Sequence, residues 1–150
     1  AAMAGFLLPY AVLTYPAGWL CERFSPVILM AVGSLGYGAF LILLGYASAG
    51  ALLPIMIGGG MIAALMLAPS LVLTVRLSEA AQATGMGGFH LTGSLGFMLG
   101  PLLSVAALTT FRAAGLDPYP GVFILFGLFE IACVVLLLPW LMRLHHFTGT

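Results

Sequence analysis

Glu130 is the one acidic residue set inside a long apolar run, "GVFILFGLFEIACVVLLLPW", and the chemistry open to it is proton binding. It stands about ten residues past the breakers at Asp117–Pro120, so a helix rising 1.5 Å per residue would carry it roughly 15 Å into a bilayer, close to the midplane. A bare carboxylate is costly at that depth, so the group must carry either a proton or a partner. His90, in "GGFHLTG", is the second residue that could hold a proton, because an accessible imidazole titrates near neutral pH. The competing chemistry for both is structural: each can make one hydrogen bond between helices.

Ser70 and Thr74, in "LAPSLVLT", could offer hydroxyls to a solute, or could bond back to the carbonyls of their own helix. Arg76 and Glu79, three residues apart, read as a surface pair. Adjacent His145 and His146 lack a third ligand at workable spacing, so no metal site is expected there. Cys21 and Cys133 fall in different apolar runs and read as small apolar fillers. There is no nucleophile elbow, phosphate loop or carboxylate pair, and the glycine cluster lacks the preceding strand that nucleotide binding needs. No reaction and no cofactor are expected.

These residues must be positioned by elements built for lipid. The 150 residues are 63% hydrophobic and 5% charged, with mean hydropathy +1.22, far from the makeup of a water-soluble domain. The four basic residues are all arginine and balance four acids, which leaves no basic patch for nucleic acid. Five runs are long enough to cross the hydrocarbon as helices, at about 2–21, 26–47, 51–77, 84–110 and 120–143. The fold class expected is an all-α integral membrane bundle forming a single transmembrane domain over residues 1–150. The first, third and fifth runs end near Arg23, Arg76 and Arg143, whereas the other side holds Arg112 beside Asp117. The excess of positive charge places the tail "RLHHFTGT" in the cytoplasm. Trp19, Tyr46, Tyr119 and Trp140 stand near the run ends, where amphipathic rings settle at the interface.

The stretch "GGFHLTGSLGFMLGPLLS" concentrates poor helix formers in one of these apolar runs. At 100° per residue, Gly85, Gly93, Gly96, Gly100 and Ser104 share an arc of about 100°. Such a nearly bare face lets another helix approach closely, and Pro101 adds a kink beside it.

Two groups of residues resemble the major facilitator superfamily. Gly87, Gly96, Gly100 and Pro101 resemble its motif C, with Ser104–Val105 where the motif ends in small residues. Gly18, Glu22 and Arg23, in "GWLCERFSP", resemble its motif A, with Glu22 in the place of the usual aspartate and without the trailing basic pair. The motifs occur in the order and on the sides that the charge pattern requires. The resemblance implies five helices of a six-helix half, matched best to helices eight to twelve, because the first motif is degraded, the third run lacks an arginine at its start and the chain stops soon after its last run. It further implies a fragment of a longer chain, completed by an N-terminal half or a partner membrane subunit, which moves a small-molecule solute by alternating access. Proton-coupled efflux or antiport, in the inner membrane of a bacterium, is the form expected. Within that frame Glu22 would latch one conformational state, Gly87 to Pro101 would pack helices, and Glu130, His90, Ser70 and Thr74 would contact proton or solute. The alternative is a structural subunit of a larger membrane complex that docks through the glycine face and transports nothing itself.

Overall fold

The computed structural model describes the backbone of residues 2–148 and side chains as far as Arg143, apart from Leu141; His145 and His146 lie outside the described side chains. Five helices account for most of the chain: α1 (Ala2–Arg23), α2 (Pro26–Gly45), α3 (Leu52–Leu77), α4 (Gln82–Ala113) and α5 (Pro118–Thr148), with one 3-10 turn at Glu79–Ala81. All five are long and apolar enough to cross a membrane. Each helix covers one of the five expected apolar runs. Several ends differ from expectation: α1 runs on to Arg23, α2 stops at Gly45, α4 extends to residues 82 and 113, and α5 begins at Pro118 and stays helical to Thr148, since no glycine or proline interrupts it after Pro139.

Local chemistry sets the boundaries. Ser25 adopts an extended backbone (φ −60°, ψ 124°), as the residue before a proline must, and Pro26 then opens α2 where its missing N–H has no helical partner to lose. At the other end of α4, Leu116 N–H donates to Phe111 O (3.0 Å) and Gly115 N–H to Arg112 O (3.1 Å), which is the Schellman pair that satisfies the last carbonyls of a helix. Gly115 makes this turn possible with φ 70°, the one positive value among the described residues. Gly115→Ala is expected to cost about 1 kcal/mol, because an L side chain in that conformation is strained. Thermal unfolding in detergent, with Gly18→Ala as the unstrained comparison, checks it.

Packing depends on which backbones can touch. α1 lies parallel to α3, where a Cβ on Gly60 would collide with the Phe6 carbonyl, and Gly5 faces Leu53. α2 runs antiparallel to α3: a Cβ on Gly33 would stand 2.8 Å from Met66 N and 2.9 Å from Leu65 O, and Gly59 receives the Phe40 ring. α2 also runs antiparallel to α5, with Gly38 against Gly127 and Gly45 against Pro120 and Phe123. The order across the bundle is thus α1, α3, α2, α5, and the buried side chains, among them Val27, Ala64, Pro69 and Leu73, belong to this row. Without a water-driven force between helices in lipid, such close approaches supply the contact that holds the row together.

α4 stands apart. It meets α3 near its start, where Gly85 sits against Ser78, and α5 near its end, where Phe111 covers Gly121. None of its described residues is buried. The outward surface of the whole bundle is correspondingly apolar: Phe97 is 87% exposed and Leu136 77%, as suits a surface whose solvent is lipid. Trp19, Tyr46, Tyr119 and Trp140 are exposed near helix ends, where the aromatic belt was expected.

Candidate functional site

The candidate residues fall into four places in this bundle. The first is the end where α1 and α3 finish together. Glu22 and Arg23 are both exposed on the last turn of α1, and the Arg23 guanidinium lies over the Trp19 ring, 4.3 Å from its centroid. This cation–π contact holds Arg23 along its own helix. A Cβ on Gly18 would meet nothing within 4 Å, and the neighbouring Tyr15 is 87% exposed. The helix face that carries Glu22 is therefore open among the described residues.

Arg76 supplies a residue that sequence reasoning placed elsewhere. Its Nη2 donates to the Cys21 carbonyl at 3.5 Å, so the cation reaches the C-terminus of α1, the negative end of that helix dipole. The expected partner Glu79 instead opens the 3-10 turn that follows α3. The Cys21 thiol is buried and donates to the Ala17 carbonyl at 3.3 Å, in keeping with a small apolar filler. The signal for the Arg76 contact was available only in part: an arginine in the last turn of a helix points to a carbonyl terminus, but not to whose.

The second place is α3 around Pro69. Ser70 donates its hydroxyl to Leu67 O (2.7 Å), Thr74 to Ser70 O (2.8 Å) and Ser78 to Thr74 O (2.7 Å). The hydroxyl protons of Ser70 and Thr74 thus turn back onto their own helix, the alternative weighed for them above. What they can still offer a solute is an acceptor lone pair.

α4 forms the third place. A Cβ on Gly87, Gly88, Gly93, Gly96 or Gly100 would meet nothing within 4 Å, so among the described residues no helix lies against this stripe. Pro101 and His90 are exposed on the same helix, with His90 edge-on to Phe89 at 6.0 Å. The glycines that do bring backbones together are Gly33, Gly38, Gly60 and Gly127, outside the conspicuous cluster. The conspicuous glycine motif lies on α4, whereas single glycines in α2, α3 and α5 carry the packing.

Glu130 occupies the fourth place, half-buried near the middle of the apolar segment Pro118–Trp140. It lies on α5 beside the close crossing with α2, whose Tyr37 and Phe40 rings tilt together at 5.5 Å. Phe40 stacks at 6.2 Å on Phe6 of α1, and Phe6 at 6.2 Å on Tyr10, so an aromatic run links α1 to this part of α2. A groove of about 480 Å³ between α2 and α3 is lined by Gly36, Phe40, Leu43, Gly58 and Ile62 among others and offers no ionisable group. Neither it nor α4 brings the candidates together: Glu130, His90, Ser70 with Thr74, and Glu22 sit on four helices as separate sites.

No curated protein and no solved structure matches the chain. The family model of the Major Facilitator Superfamily matches residues 1–149.

Proposed function

Because the chain belongs to the major facilitator superfamily of membrane transporters, we propose that it supplies five helices of a secondary active transporter, moving a small solute by alternating access. The observation that carries this reading is the family match running along all five membrane-length helices. In the proposed assembly these are helices eight to twelve, in a bacterial inner membrane with the C-terminus cytoplasmic, as the arginines at 23, 76 and 143 favour. The open face of α1 at Gly18 and Glu22 and the open stripe of α4 are the surfaces that a second half would cover. Rocking of that half against this one would then expose a midplane site to each side in turn.

Within this reading Glu22 latches one state through the terminus of a facing helix, where a carboxylate is favoured. Ser70 and Thr74 face the solute as acceptors, and Glu130 or His90 carries the coupling proton. The spans hold no arginine or lysine at midplane to retain an anion, which favours a neutral or apolar solute.

The test is accessibility labelling of the full polypeptide in liposomes, with single cysteines introduced near either end of α1, combined with uptake of labelled neutral and apolar solutes under an imposed pH gradient. Alternating access predicts that labelling from one side rises as the other falls, and that Glu22→Ala shifts the balance. Unchanged labelling in Glu22→Ala rejects the latch. An absence of flux, together with stable co-purification of other membrane proteins, would instead favour an assembly subunit docked through the α4 stripe.

A further inference from the structure

Glu130 is isolated in the sequence, but the fold gives it a neighbour. α2 and α5 touch backbone to backbone: a Cβ on Gly38 would stand 2.8 Å from Gly127 O and 2.6 Å from Ile131 Cγ1, and one on Gly127 would stand 2.6 Å from Gly38 O. Tyr37 immediately precedes Gly38, and Glu130 immediately precedes Ile131. In two antiparallel right-handed helices, the residue before each contact position turns by about 100° toward the same flank of the crossing. Tyr37 and Glu130 therefore leave the crossing on one side and at one level.

That flank is the inner one. Val32, Leu35 and Leu43, which project from the opposite flank of α2, are exposed at 56%, 38% and 57%, whereas Ser34, one turn from Tyr37, is buried. The Tyr37 ring is further fixed against Phe40, itself stacked on Phe6 of α1.

Other ionisable groups are placed elsewhere. Tyr37 is the single ionisable residue of α2, and α3, on its far side, contributes Arg76 at its end. On α5 the other described ones are Cys133, next to the crossing, and Tyr119 and Arg143 near the ends; α4 brings Arg112 to the start of α5, beside Asp117, and His90 near its own distant beginning. Neither helix of the crossing carries a cation near Glu130 that could pair with it.

We infer that Tyr37 and Glu130 form one proton-binding site between α2 and α5, in which Glu130 holds a proton as the neutral acid and the Tyr37 hydroxyl, not bonded to it in this structure, turns to donate a hydrogen bond to its carbonyl oxygen. Proton release breaks the Glu130 O–H bond, passes the proton to water and leaves a carboxylate that accepts the same Tyr37 hydrogen bond. The use of this proton in transport rests on the function proposed above; the site itself does not.

Infrared difference spectroscopy on the full polypeptide in lipid bilayers reads the site directly. At neutral pH the wild type is expected to show a protonated-carboxyl C=O band that disappears in Glu130→Gln and moves to higher frequency in Tyr37→Phe, where the carbonyl has lost its donor. A wild type without the band, or a band unmoved by Tyr37→Phe, overturns the assignment. If Glu130→Gln does not fold, Glu130→Asp replaces it: the shorter acid must displace the band, and an unmoved band again overturns the site. Proton-driven uptake is scored separately. A band that behaves as expected without proton-driven uptake keeps the site and rejects coupling; coupled uptake in the absence of the band does the reverse.

Discussion

Gly38→Leu is expected to destabilise the bundle by about 3 kcal/mol, the upper range for forcing extra volume into a packed contact, and Gly38→Ala by about 1 to 2 kcal/mol. The cause is the Gly127 carbonyl, which even the first added carbon would approach to 2.8 Å. A carbonyl of a neighbouring helix cannot rotate away as a side chain can, so the whole of α5 must retreat. Retreat would also draw Glu130 away from Tyr37. Gly127→Leu should cost a similar amount, and the double variant less than the sum, since both break one contact. Gly58→Ala is the comparison: its Cβ meets open space, so ordinary helix propensity predicts a gain of up to about 1 kcal/mol. Thermal midpoints in detergent decide the matter. Equal effects of leucine at 38 and at 58 would mean that α2 and α5 do not cross as described.

The second large effect concerns function more than stability. Gly96→Leu and Gly100→Leu lie on a stripe that meets no neighbour among the described residues, so each should leave the row of α1, α3, α2 and α5 intact. If the rest of a transporter closes against that stripe, a leucine holds the two backbones apart, and flux should fall at least tenfold, which corresponds to about 1.4 kcal/mol. The row can be monitored independently by a Gly45→Cys, Phe123→Cys pair. A Cβ on Gly45 would stand 3.2 Å from that of Phe123, near enough to the usual Cβ separation for oxidative crosslinking. The expected result is normal crosslinking with lost flux. Full flux in both leucine variants would reject the stripe as a docking face; lost crosslinking would show that α4 supports the row in a way its open surroundings do not suggest.

The two glycine predictions mark the boundary between what pattern reveals and what packing decides. Residues 93, 96 and 100 share one helix face and can be seen as a stripe from spacing alone. Gly38 and Gly127 are 89 positions apart, and no periodicity within one helix announces that their backbones meet. Arg76 behaves similarly. A cation in a last turn favours helix carbonyls in general, but the carbonyl it reaches, that of Cys21, belongs to a helix packed in parallel two elements earlier. Ser70 and Thr74 lie between these cases, since back-bonding to one's own helix is local chemistry that a sequence can anticipate.

By itself, then, the sequence determined the elements. Hydropathy and length set five helices, Pro26 and Pro118 open two of them, Gly115 closes a third, and the arginine pattern and two motifs pointed to the family that the comparison bears out. Only the tertiary structure decided which helices touch, that α4 keeps Gly87, Gly93, Gly96 and Gly100 uncovered among the described residues, and that Glu130 shares a flank with Tyr37. The physical reason is that helix formation and membrane insertion depend on local hydrogen bonding and on transfer into lipid, both functions of short stretches. Helix association in lipid depends instead on a few backbone approaches between distant residues, each of which exists only once both surfaces are in place.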